Sequence, residues 1–355
     1  MINSIWLVGS VHDMTQALSS GEVLAVGIGS AGIRIASALS TEPLQIDRFG
    51  YVSCDRSDLE AASGGERLLI DCPVDQKLSP SMVRGLAIPY LGSFRKMVGN
   101  ARVVFVMAGL GGAVGSGLAP MVAQIAGECG AVPVSVAVMP FDYEKKLRFY
   151  AGIALRRLRS TSKGVVVIDN EMLLKASPDV TLKEIYTIAN EEVAKALGCL
   201  LSKPTNSSIP AGVNKVLGTI LQEGYSLLGI ATSGSVDKTE DALARTVIAM
   251  SRIAETKEAS HAVVVLSGDA SLSARETGMA VKRLGSMMNN QSIDVEYTAS
   301  FNGGSEMMVS VLASGFRTTK YDDYDPLAAI FGKNVIDDGM DTALLTGLER
   351  IEACD

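Results

Sequence analysis

The chain has 355 residues, 47% of them hydrophobic and 20% charged, with a formal net charge of −7. That is enough apolar material for one large core or two moderate ones, and an acidic balance without a basic run points away from nucleic acid or an anionic membrane as the main partner. Five scattered cysteines without a CxxC pair, and only two histidines, His12 and His261, argue against a zinc site or a disulfide framework and for a reducing cytoplasm. The opening MINSIWLVGSVHD has no positively charged start before a long apolar stretch, and no run reaches the length of a bilayer span. The expectation is a cytoplasmic protein with no signal peptide and no direct membrane insertion.

In chain order, strand-like EVLAVGIG is followed by helical GIRIASALS, and FGYVSCD reads as a short strand. RVVFVMAG leads into helical LAPMVAQIAGECG. VPVSVAVMPF is a strand, EKKLRFYAGIALRRLRS a helix and GVVVID a strand. Apolar strands alternating with helices predict an α/β fold with a parallel sheet covered on both faces, its ligand site at the carboxyl ends of the strands. A long helix over 183–202 comes next, then a loop with two prolines over 203–212. Helices near 213–227, 238–255 and 272–288 with strands AVVVLSG, IDVEYTASF and MMVSVLASGF predict a smaller C-terminal α/β domain with a mixed or antiparallel sheet. The boundaries are therefore a Rossmann-like nucleotide-binding domain over 1–182, the central helix, the connecting loop, a second domain over 213–317 and an acidic tail over 318–355. The tail reads as a solvated end; a short helix at DTALLTGLERIE that docks a partner is the alternative.

Two loops carry chemistry. VGIGSAG spaces Gly27, Gly29 and Gly32 as GxGxxG after a strand, a pattern that equally announces a dinucleotide-binding domain with Asp47 or Asp55 on a ribose. AGLGGAVGSGLAP places Gly109, Gly111, Gly112, Gly115 and Gly117 within nine residues after a later strand. So many glycines suggest backbone N–H groups approaching an anion at the start of a helix; a tight structural turn is the alternative. Two glycine loops fit a nucleoside triphosphate better than a pyrophosphate bridge. The Walker pattern GxxxxGK[ST] is absent.

AGLGGAVGSGLAP resembles the tubulin/FtsZ signature loop, usually GGGTG[TS]G, and the similarity extends over roughly residues 20–317. VGIGSAG, with Ser30 and Arg34, resembles the first phosphate loop of FtsZ, and VSCDRSDL its second loop, with Asp55 in the acidic position. PFDYEKKLR resembles the PF-x-FE-xxx-R segment, which implies Glu144 at the ribose and Arg148 near the base or ribose. VVVIDNEMLL places Asn170 where the family holds guanine, and the next helix places Asn190 at the second guanine-contacting position, where FtsZ proteins usually carry Asp and tubulins Asn. VSVLASGF resembles the closing strand of the second domain. The resemblance implies GTP or GDP as the bound nucleotide, with the Mg²⁺ that a triphosphate normally brings, and self-association into head-to-tail filaments.

The departures bear on activity. Ala113 stands for a glycine and Val114 for a threonine, whereas Ser116 keeps a hydroxyl; Arg34 replaces a small amide, to pair with a phosphate or to face solvent. The third loop, glycine-rich in the family, has become DQKLSPSMVRG, with a glycine only at its end. Where the family has NxDxxD acids that orient the attacking water, this chain has Ser207, Ser208, Ile209, Pro210, Ala211 and Gly212, and no Asp or Glu occurs between Glu192 and Glu223. A positioned general base contributes about 10²–10⁴-fold. The expectation is a guanine-nucleotide-binding, FtsZ-like division or cytoskeletal protein with weak or absent hydrolysis. Alternatives are a nucleotide-independent scaffold partnering a catalytic paralogue, an active GTPase using acids from elsewhere, and a dinucleotide-dependent oxidoreductase.

Overall fold

The computed structural model describes residues 21–73, 77–174, 181–203, 208–209, 213–234, 237–268, 274–301 and 306–322. The sequence-predicted acidic tail from 323 onward and most of the connecting loop lie outside them. The described strands form a single sheet: β1 Val23–Ile28, β2 Arg48–Ser53, β3 Glu66–Leu69, β4 Val103–Gly109, β5 Val132–Met139, β6 Gly164–Asp169, β7 Ser208–Ile209, β8 Tyr225–Ser233, β9 His261–Gly268, β10 Asp294–Phe301 and β11 Met307–Phe316. Their order is β3-β2-β1-β4-β5-β6-β8-β11-β9-β10-β7. From β3 through β6 every pairing is parallel. β8 joins β6 through two register pairs, Val166 with Ser226 and Val167 with Leu227. Beyond that seam the sheet is mixed, with β11 antiparallel to β8 and β9, and β10 parallel to β9.

The apolar runs pack both ways because the pleat sends alternate residues to opposite faces. Leu24, Val26 and Ile28 of β1 enter one core cluster, and Val23 and Ala25 the other. The first cluster lies under α3 (Pro80–Ala87), α4 (Leu91–Val98), α5 (Ala113–Glu128), α6 (Lys145–Thr161), α10 (Lys238–Ser251) and α11 (Ala274–Met287). The second lies under α1 (Gly29–Leu39), α8 (Leu182–Leu201) and α9 (Val213–Ile220). The short helices α2 (Arg56–Glu60) and α7 (Glu171–Leu174) follow β2 and β6. Each cluster runs across the β6–β8 seam, so the apolar layers are continuous through the sheet. Helix α8 begins with a reciprocal cap, Thr181 Oγ1 accepting from the Glu184 N–H at 3.3 Å and Glu184 Oε2 from the Thr181 N–H at 2.9 Å.

The α/β class, the parallel first half and the mixed second half are as expected, with two boundaries shifted and one strand added. The helix expected over 213–227 stops at Ile220, and YSLLGIATS is the strand β8. Gly224, at φ +99°, turns the chain between them, and a Cβ there would lie 2.4 Å from the Phe316 carbonyl oxygen. β3 is a further strand that the sequence pattern did not show. Helix α5 begins at Ala113, five residues before LAPMVAQ, so Gly115 and Gly117 belong to the helix and not to a turn.

The packing of α1 onto the sheet makes a testable demand. A Cβ on Gly32 would sit 2.1 Å from the Met107 carbonyl oxygen, whereas nothing lies within 4 Å of one on Gly85 in α3. Gly32→Ala is expected to lower the urea midpoint at a cost of about 1–3 kcal/mol or more. Gly85→Ala is expected to hold or raise it, by about 0.5–1 kcal/mol.

Candidate functional site

β1 and β4 run side by side in parallel, Ile28 opposite Ala108, and each feeds a helix at its carboxyl end. Gly29 opens α1 directly; Leu110, Gly111 and Gly112 lead into α5. Neither helix start has a side-chain cap or an acidic residue in its first turn. The first N–H groups of both helices therefore lack intrahelical partners and form the positive ends of two helix dipoles. The two starts abut: a Cβ on Gly29 would lie 3.4 Å from Val114 Cβ and 3.5 Å from the Gly115 nitrogen.

A cleft of about 490 Å³ opens over this junction. Of the residues expected from the sequence, it is lined by Gly29, Ser30 and Arg34 of α1, by Gly109, Gly112, Ala113, Val114 and Gly115 of the second loop, and by Glu144, Asn170 and Asn190. Gly27, Gly32, Gly111, Ser116, Gly117, Asp55 and Arg148 are not in its lining, and most have another task. A Cβ on Gly27 would meet the Gly32 carbonyl oxygen at 2.5 Å, one on Gly115 the Gly109 oxygen at 2.1 Å, and one on Gly117 the Pro80 oxygen at 2.6 Å. Gly111, at φ +100°, lies against Leu147. Within the second loop only Gly112 has nothing within 4 Å of an added Cβ. The glycine cluster thus serves close packing at four positions and leaves open space at one, Gly112.

Ser116 is buried, and its hydroxyl accepts from the Gly111 N–H at 2.7 Å, so this serine shapes the loop from behind. Asp55 caps α2, accepting from the Ser57 hydroxyl and the Ser57 N–H, both at 2.8 Å; these bonds hold its carboxyl below the usual range. The neighbouring Asp58 faces the cleft instead and accepts from the Ser53 hydroxyl at 2.9 Å. Asp47, the other candidate for a ribose, accepts from the Val23 N–H at 2.8 Å at the start of β1, the end away from the cleft. Arg148 lies 3.7 Å from Asp142 in an adjacent cleft.

The far wall holds the polar side chains. Asn170 follows β6 and is buried, and its Oδ1 has no hydrogen-bond partner among the described residues. Asn190, also buried, enters from α8. Tyr186, one helical turn before Asn190, shares that wall. Glu144 is already engaged, with Oε2 accepting from the Phe141 N–H at 2.9 Å and Oε1 from the Tyr186 hydroxyl. Burial and that carboxylate hold the Tyr186 phenol well above its ordinary range, which keeps it a donor. Its ring meets Phe141 edge-on at 5.2 Å. Tyr186 and Asp58 were missed from sequence; the i, i+4 spacing of Tyr186 from Asn190 was the available signal.

The tubulin/FtsZ family GTPase domain matches residues 85–178, a span containing α5, Glu144 and Asn170. The cell division protein FtsZ of Mycoplasmopsis pulmonis is 24% identical over 322 residues, 87% of this chain and 81% of the relative. Segment 85–178 thus matches the tubulin/FtsZ GTPase-domain family, and the chain is similar to FtsZ over most of its length. Among solved structures, the empty FtsZ dimer of M. jannaschii superposes with a TM-score of 0.72 at 23% identity, covering 85% of this chain and 93% of that one. CetZ2 from Haloferax volcanii, solved as a GTPγS-bound protofilament, superposes with a TM-score of 0.65 at 21% identity, covering 90% and 99%. Both likenesses show the superfamily fold.

Among the described residues the cleft is lined by one cation, Arg34, against the carboxylates of Asp58 and Glu144. Attraction for an anion therefore rests on the two helix starts, each equivalent to roughly half a positive charge. No helix among the described residues is long and apolar enough to cross a membrane. The loop behind the cradle is testable without any ligand. Ser116→Ala strands the buried Gly111 N–H, and denaturant unfolding is expected to show a loss of about 1–3 kcal/mol.

Proposed function

We propose that the cleft binds a guanine nucleotide, its phosphates on the starts of α1 and α5 and its base against Asn170, Asn190 and Tyr186. One observation carries the reading. Asn170 presents a buried acceptor without a partner in the wall of a cleft whose floor is two uncapped helix starts. A buried acceptor left unsatisfied costs about 1–3 kcal/mol, and guanine offers an N–H edge that adenine does not present in the same way. Gly112 leaves room for a phosphate oxygen to reach backbone N–H groups. Where a triphosphate brings Mg²⁺, Asp58 is the cleft carboxylate not tied to Tyr186 and is suited to a metal-bound water. GDP fits the same donors.

The nucleotide acts as a structural ligand between head-to-tail copies, with weak or absent hydrolysis. CetZ2 as a protofilament supports a repeated heterologous contact, which generates a filament when it does not close. Hydrolysis is slow because no Asp or Glu stands between Glu192 and Glu223 to orient a water in a neighbouring pocket. A catalytic paralogue inserted in the same filament supplies the missing acids in trans. Val114 and the DQKLSPSMVRG stretch, whose one glycine, Gly85, lies within α3, reduce the response to a γ-phosphate.

Two measurements test this reading. In competition binding, GTP is expected to displace a labelled guanine nucleotide at least about tenfold better than ATP, and Asn170→Ala to erase most of that preference. Equal competition by ATP would contradict the base assignment. Phosphate release followed across protein concentrations is expected to stay near background, and a turnover that climbs with concentration would contradict the hydrolysis assignment.

A further inference from the structure

Asn170 sits in the turn between β6 and α7, and the residue before it faces the other way. Asp169 lines a second cleft of about 390 Å³, together with Asp142, Arg148, Glu171, Arg252 and Lys320. Its carboxylate is almost fully buried, its side chain 4% exposed, and both oxygens are committed. Oδ1 accepts from the Glu171 N–H at 2.9 Å, closing a turn with Asn170 at its centre. Oδ2 accepts from Lys320 Nζ at 2.7 Å.

Lys320 comes from the segment after β11, 151 residues further along the chain. Its position is fixed by its own backbone, whose N–H donates to the Ile253 carbonyl at 2.7 Å. The same segment is held by the Arg317 N–H donating to Glu258 Oε2 at 3.0 Å and by Arg159 Nη1 donating to the Arg317 carbonyl at 3.1 Å. Lys320 Nζ also lies 3.8 Å from Asp142 Oδ1, so its ammonium is shared between two carboxylates. Because Asp169 is buried, removing the ammonium leaves its charge without that partner, and the chain around it must relax.

We propose that Lys320 and Asp169 are positioning residues for base recognition: their partly buried ion pair locks the turn that aims the Asn170 acceptor into the nucleotide cleft. This rests on the guanine reading given above. Without the ammonium, the Asp169 carboxylate turns toward water, its bond to the Glu171 N–H loosens, and Asn170 loses its fixed direction. The starts of α1 and α5 lie on the opposite side of the cleft and are untouched. Base contact therefore weakens while phosphate contact stays.

The test compares two probes on the full chain: GTP, which uses both subsites, and inorganic tripolyphosphate, which uses only the phosphate subsite. Lys320→Met is expected to weaken GTP about five- to tenfold, the weight of one hydrogen bond, and to leave tripolyphosphate unchanged. Lys320→Arg is expected to restore most of the loss. Adding Lys320→Met to Asn170→Ala is expected to cost nothing more, because both act through one contact. Asp169→Asn keeps an acceptor for the Glu171 N–H and discards the ion pair, so it decides the matter if Lys320→Met fails to fold. Equal weakening of both probes, or of neither, would overturn the inference and leave the guanine reading standing. A wild-type protein that binds GTP no more tightly than tripolyphosphate would overturn both.

Discussion

The candidate site depends on one steric constraint, the contact between helix backbone and strand backbone at the carboxyl ends of β1 and β4. Gly32 lies against the Met107 carbonyl, Gly27 against Gly32, and Gly115 against Gly109. A side chain at any of these positions would push α1 or α5 off the sheet. Because they are absent, the two helix starts come together at the sheet edge. Their unpaired N–H groups and dipoles then face one cleft. The positive potential at the cleft comes mainly from backbone at these helix starts, with Arg34 the side-chain cation lining it among the described residues.

That division of labour explains which substitutions the cradle has absorbed. Val114 and Ala113 stand where the superfamily pattern has threonine and glycine, yet both lie in the first turn of α5 and line the cleft. A lost hydroxyl removes one donor and leaves the helix start in place. On the proposed reading the far wall is less tolerant, because it relies on a few side chains: buried Asn170 and Asn190, and half-buried Tyr186 with its bond to Glu144. The proposed base recognition is concentrated there, and so is its proposed dependence on the contact from Lys320.

Much of this was legible in the sequence, because parallel strands buried on both faces write themselves as apolar runs such as VLAVGI and VPVSVAVM. The loops were legible for the same reason, each following such a run. β8 was not. YSLLGIATS carries a Leu pair and follows a helical segment, and a short apolar run does not separate helix from strand by periodicity. The purpose of the glycines was only half legible, since composition cannot tell a backbone approaching a ligand from a backbone approaching another strand. Asp55 and Asp58 are one helical turn apart at the start of α2, and their orientation is set by whether Ser57 or Ser53 claims the carboxylate. The Lys320–Asp169 pair links positions 151 residues apart and leaves no local trace.

The most direct measurement is to denature freshly purified protein and identify, with its occupancy, whatever nucleotide is released. The account predicts guanine nucleotide at substantial occupancy, mostly as GTP, because binding persists while turnover is slow. An empty protein that also fails to take up added GTP would contradict it, and would make the paired helix starts a packing solution without a ligand.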